Sequence, residues 1–164
     1  WTHIHTEHRI EWLVYQPNMV ANKATEIHGI LPSDILQGIP EKQMLTELLP
    51  IISESIVVGH QTWFDALMLD EALRRNFGIS FRNPIIDVAA LAMTELQRFR
   101  KSGYANQKPP SIEDLCANFG LPLHDRHTAE GDAFIAAELF LIMCGHIRQR
   151  KGKITRRDLP IKKV

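Results

Sequence analysis

The run Ser55-Ile56-Val57-Val58-Gly59 constrains the fold of this 164-residue chain more than any other stretch. A short β-branched run without polar alternation cannot lie on a half-solvated sheet, because every second side chain would face water. It fits a strand covered by helices on both faces. Pro84-Ile85-Ile86 repeats the pattern on a smaller scale. Around these runs the apolar residues recur at helical spacing. Met44, Leu45, Leu48, Leu49 and Ile52 mark a helix over 41–54 after Pro40, and Phe64, Leu67, Met68, Ala72 and Leu73 mark another over 62–76, ended by Gly78. Asp87 is placed to cap a helix over 88–100. Ser111 opens a short helix over 111–118 with an S-x-x-D start, and a long helix follows over 128–148. Nearer the N-terminus, residues 10–16 read as a strand closed by Pro17, residues 21–27 as a short helix and residues 32–34 as a helical turn; residues 101–110 read as a polar loop. Strands alternating with helices predict a layered α/β domain.

With 45% hydrophobic and 23% charged residues, the chain has the profile of one globular domain. Its formal charge of zero is not local. From Arg148 to Val164 eight basic residues face one acid, Asp158, a net +7, which leaves residues 1–147 at −7. Two regions are therefore expected: a body over 1–147 and a basic tail over 148–164, the tail either solvated or in contact with phosphates. No stretch approaches the roughly 20 consecutive apolar residues that cross a bilayer, and no charged leader precedes an apolar run, so a soluble, cytoplasmic protein is expected. Cys116 and Cys144 lie in apolar helical patterns without C-x-x-C spacing, which predicts buried free thiols.

Chemistry concentrates in two segments with one pattern, a His followed five residues later by an Asp: His60 to Asp65 and His127 to Asp132. Each lies at a turn entering a helix. An acid in a first helical turn is stabilised by the macrodipole and needs no further reason. Asp65, however, follows a buried strand directly, at the rim where open α/β sheets bind their ligands. An acid there calls for a cation that Asp132 could share, and carboxylates favour Mg²⁺ or Mn²⁺. The adjacent His127 is placed to take a proton from water, a constellation suited to phosphodiester hydrolysis.

His28-Gly29-Ile30, Val57-Val58-Gly59-His60 with Phe64-Asp65, Ile86-Asp87, and His127-Thr128-Ala129-Glu130-Gly131-Asp132-Ala133 together resemble the DEDDh exonucleases. That family includes the proofreading epsilon subunit of bacterial DNA polymerase III, RNase T and oligoribonuclease. The order and spacing agree from about residue 10 to 147. The resemblance implies a ribonuclease-H-like fold with a central mixed sheet flanked by helices. It also implies removal of nucleotides from a single-stranded 3′ end, of DNA or RNA, with two divalent cations and a histidine base. Asp65 and Asp132 match metal-holding acids and His127 the base. His28, Gly29 and Ile30 match the loop that touches the terminal nucleotide, and His60 and Phe64 the substrate side of the second motif. A DNA polymerase or another protein is an implied partner.

The family's first motif, Asp-x-Glu on the first strand, has no counterpart. His5-Thr6-Glu7 lies too near the His28 loop and in no apolar strand. A first strand cut off or left out is the expectation, so this chain, with two of the four acids, is expected to bind metal poorly and to be weak or inactive. The competing function is a catalytically inactive module on the same fold that binds nucleic acid or protein. His3, His5 and His8 could bind a transition metal, but no carboxylate or cysteine at characteristic spacing completes the set, and a solvated strand is expected there. Trp63 could stack on a base but beside Phe64 at a helix start suits the core at least as well, and Asp87 is expected as a helix cap.

Overall fold

The computed structural model describes residues 3–21, 23–99 and 108–163, and all statements below concern those residues. In chain order the helices are α1 (Lys23–His28), α2 (Pro32–Ile35), α3 (Glu41–Ile52), α4 (Thr62–Phe77), α5 (Val88–Glu95), α6 (Ile112–Phe119) and α7 (Ala129–Lys151). The strands are β1 (Val57–Gly59) and β2 (Ile85–Asp87). They pair in parallel, with Val57 opposite Ile85, Val58 opposite Ile86 and Gly59 opposite Asp87.

This register distributes the core. Successive strand residues point to opposite faces. Val57 and Ile85 pack with Leu45 of α3 and Ala66, Ala72 and Leu73 of α4. Val58 and Ile86 pack on the other face with Leu91 of α5, Leu115 of α6 and Ile135, Leu139 and Met143 of α7. Helices therefore cover both faces, as the apolar runs demand. Each fully buried Leu or Ile contributes about 1.5–3 kcal/mol of transfer free energy. Thr62, buried at the start of α4, donates its hydroxyl to the Ile86 carbonyl at 3.0 Å and ties that helix to β2.

β1 is half-buried rather than fully buried, because β2 is its only strand partner among the described residues. The strand expected over 10–16 is reduced to one parallel bridge, Val14 with Ile39, for want of a longer partner. The helix expected over 41–54 ends at Ile52, and the one expected to reach residue 100 gives way after Glu95 to a 3₁₀ turn, Gln97–Phe99. Residue 100 and residues 101–107 of the expected loop lie outside the described residues. Cys116 and Cys144 are free and buried, and burial pushes the Cys144 thiol up to about 11, so it stays protonated at neutral pH. No helix among the described residues is long and apolar enough to cross a membrane.

The basic segment is not a solvated tail. Residues 148–151 complete α7, which Gly152 closes in the left-handed conformation (φ 76°). Leu159 is buried against the core of α5, α6 and α7, with Ile154 and Ile161 beside it. Lys162 makes an antiparallel bridge to Ile85, donating and accepting one backbone bond each, so β2 is paired on both edges. Asp158 locks this turn: Lys151 Nζ donates to it at 2.5 Å, Thr155 Oγ1 at 2.7 Å and Thr155 N at 2.8 Å. These donors hold the Asp158 carboxyl well below the usual carboxylate range, Lys151 contributing most.

A carboxylate with a depressed folded pKa stabilises the structure above its unfolded value, about 4, and loses that effect as pH falls toward the folded value. Asp158→Asn is therefore expected to speed amide exchange over residues 154–162 at pH 7. The difference from wild type should narrow as pH drops below about 4, which exchange monitored by mass spectrometry reads directly.

Candidate active site

Parallel pairing points the C-terminal ends of β1 and β2 the same way, with Gly59 beside Asp87. A cleft of about 640 Å³ opens there, between the first turns of α4 and α7 and the start of α6. His60, Phe64 and Asp65 line it from α4 and its entry turn, and Arg126, His127 and Asp132 from α7 and its entry turn.

The two halves are built alike. Asp65 and Asp132 each occupy the fourth residue of their helices, whose N-termini favour negative charge. Each helix is entered through a left-handed non-glycine residue, Gln61 (φ 56°) before α4 and His127 (φ 72°) before α7. Such conformations carry strain of about 1–3 kcal/mol and persist where the surroundings over-determine them. At α7 the causes are visible. Thr128 donates its hydroxyl to the Asp125 carbonyl at 2.6 Å and accepts from Gly131 N at 3.0 Å. Gly131 packs so tightly on this turn that a Cβ would stand 2.2 Å from the Asp125 carbonyl oxygen.

The carboxylates differ in their surroundings. Loss of solvation in the cleft pushes the Asp65 carboxyl above its ordinary value, and the charge of nearby Asp87 adds to this. A backbone hydrogen bond and the nearby His60 offset part of this rise, and no salt bridge reaches Asp65 among the described residues. Asp132 instead is held by Arg126, whose Nη1 donates to Oδ1 at 2.6 Å and Oδ2 at 2.5 Å, while Nε donates to Glu113 Oε1 at 2.7 Å. His127 N lies 3.3 Å from Asp132 Oδ1, and the imidazole is exposed at the mouth of the cleft.

The cleft thus brings together Asp65, His127, Asp132, His60 and Phe64. His60 also anchors the site, its Nε2 lying 2.9 Å from the Pro110 carbonyl oxygen. His28, Gly29 and Ile30 are not among the cleft's lining residues; His28 Nδ1 accepts from Ile30 N at 3.0 Å and shapes its own loop. Asp87 caps α5 by accepting from Ala89 N at 2.9 Å, as expected. Trp63 is not core but 57% exposed, beside the exposed Phe64. At the N-terminus the expected strand is a 3₁₀ turn, Thr6–His8, that lets Glu7 join His5 and His8 with ligand atoms within 4.8 Å, all exposed. Sequence reasoning missed Arg126 and Glu113. Arg126 stands next to His127, Glu113 lies in the first turn of α6, and only the tertiary fold joins them.

Hard divalent cations fit this donor set. The Asp65 carboxyl, raised by desolvation and by Asp87, lacks the positive charge such an ion supplies, and Asp132 is already arranged around a cation, the Arg126 guanidinium.

The exonuclease family model, RNase_T, matches residues 3–140. The chain belongs to this exonuclease family. Its helices around a small parallel sheet are consistent with a ribonuclease-H-like exonuclease domain. The DNA polymerase III subunit epsilon of Aquifex aeolicus is 26% identical over 129 residues, which is 79% of this chain and 60% of that protein. The subunit epsilon of Treponema pallidum is 23% identical over 145 residues, 88% of this chain and 64% of that protein. The PolC-type DNA polymerase III of Thermotoga maritima is 26% identical over 129 residues, 79% of this chain but 9% of its own length. The chain therefore spans less than two thirds of these relatives.

The tight turn before α7 yields one expectation. Gly131→Ala forces Asp125 or the helix to shift, and overpacking of this kind destabilises by about 1–3 kcal/mol. A lowered melting temperature with altered His127 resonances is the expected result; an unchanged melt would show that the turn yields freely.

Proposed function

We propose that the protein is a metal-dependent exonuclease that removes nucleotides from the 3′ end of a single strand. DNA is the favoured polymer, because the relatives carry DNA polymerase III names, and a DNA polymerase is the corresponding partner. One observation carries the reading: Asp65, His127 and Asp132 line a single cleft at the C-terminal end of the parallel strands.

In this reading Asp65 and Asp132 hold Mg²⁺ or Mn²⁺, which when bound neutralise charge on the scissile phosphodiester and on the departing oxygen. His127 takes a proton from the attacking water. The water oxygen bonds to phosphorus, the bond from phosphorus to the 3′ oxygen breaks, and that oxygen is protonated to leave a shortened strand and a 5′-nucleotide. The exposed ring of Phe64 lines the cleft with that of Trp63 edge-on beside it, and both suit base stacking. The loop of His28, Gly29 and Ile30 meets the terminal nucleotide from outside the cleft lining.

A second reading, a binding module without catalysis, is favoured by the Arg126 guanidinium on both oxygens of Asp132. Activity decides between them. With Mn²⁺, the full-length protein is expected to shorten a 5′-labelled single strand from its 3′ end. Asp65→Asn, Asp132→Asn and His127→Ala are each expected to slow it by about 10²-fold or more. Strand binding without shortening supports the module; full activity in all three variants contradicts the assignment of the site.

A further inference from the structure

Arg126 is the only Lys or Arg among the described residues that line the cleft, and it stands between two acids, Asp132 and, behind it, Glu113. Its side chain is only 21% exposed, and two different carboxylates hold its two ends. One nitrogen, Nη1, reaches both oxygens of Asp132, so the guanidinium covers the carboxylate edge that a divalent cation needs. A guanidinium N–H donating to a carboxylate is a charge-assisted hydrogen bond, stronger than one between neutral groups. Two cations cannot share those oxygens at coordination distance without mutual repulsion in a partly desolvated cleft.

We infer that Arg126 is a resident counter-cation that holds Asp132 while metal is absent, and that an entering divalent cation must displace it while Glu113 keeps it tethered beside the site. The inference rests on the metal-dependent reading of the same cleft. It assigns Arg126 a positioning role. Without metal it keeps Asp132 and the turn before α7 in place against repulsion between the acids. With metal, its released N–H donors stay within the cleft, where the remaining anion is a substrate phosphate, a group that guanidinium recognises. Metal affinity is thus set below what the carboxylates alone would give.

A merely structural ion pair does not raise metal affinity when it is removed, so Mn²⁺ binding, read from the electron paramagnetic resonance of the free ion, is the discriminating measurement. Arg126→Gln is expected to bind Mn²⁺ at least about tenfold more tightly than wild type, the effect of losing one charge-assisted competitor. It is also expected to melt lower without metal and to recover more than wild type when Mn²⁺ is added. Asp132→Asn should remove the gain in the double variant. Should Arg126→Gln fold poorly, the wild-type protein answers alone: titration with Mg²⁺ should shift the Arg126 Nε–H resonance as the guanidinium leaves Asp132. Equal or weaker Mn²⁺ binding by a folded Arg126→Gln, or an Arg126 resonance indifferent to saturating Mg²⁺, overturns the displacement and leaves the metal site standing. If neither wild type nor variant binds Mn²⁺, the metal-dependent reading falls and this inference falls with it.

Discussion

The parallel pairing of β1 with β2 is the constraint on which the rest depends. Its register sends Val57 and Ile85 to one helical layer and Val58 and Ile86 to the other. It also sets Gly59 beside Asp87, so the turn into α4 and the start of α5 leave the same end of the sheet. A slip of one residue would exchange the faces and turn both apolar sets toward the wrong layer. Thr62, bonded across to Ile86, fixes α4 to that register, and the C-terminal segment closes the second edge of β2 through Lys162.

From that frame the charge arrangement of the cleft follows. Two helix N-termini deliver Asp65 and Asp132 to one opening, and macrodipoles offset part of the cost of gathering acids. The remainder is handled unequally. Asp132 has Arg126, whereas Asp65 is pushed toward its neutral form by desolvation and by Asp87. Such an asymmetric pair has one carboxylate already paired with a cation and another in want of one. Strain is held in the same place, at Gln61 and His127, and a close backbone approach at Gly131 keeps the second turn from relaxing.

Much of this was legible in the sequence because it is local. The β-branched run at 55–59, the apolar spacing of α3, α4 and α7, the caps at Ser111 and Asp87, and the repeated His-to-Asp spacing all lie within single elements. What escaped is what only distant residues decide. The strand expected over 10–16 lacked a partner beyond one bridge. Trp63, beside Phe64 at a helix start, suited either the core or base stacking, and the tertiary fold puts it on the outer face of α4. The basic segment looked like a tail because charges dominate it, although Leu159, Ile154 and Ile161 are enough to dock it. Arg126 and Glu113 sit 13 residues apart on different elements, and no periodic pattern joins them.

The central claim is that Asp65 and Asp132 form one cation-holding site served by His127. The most direct measurement is the anomalous scattering of Mn²⁺ in crystals of the full-length protein. The account predicts a peak in the cleft with oxygens of both carboxylates at about 2.0–2.2 Å. Density absent from the cleft at saturating Mn²⁺, or found instead only at His5, Glu7 and His8, would contradict it.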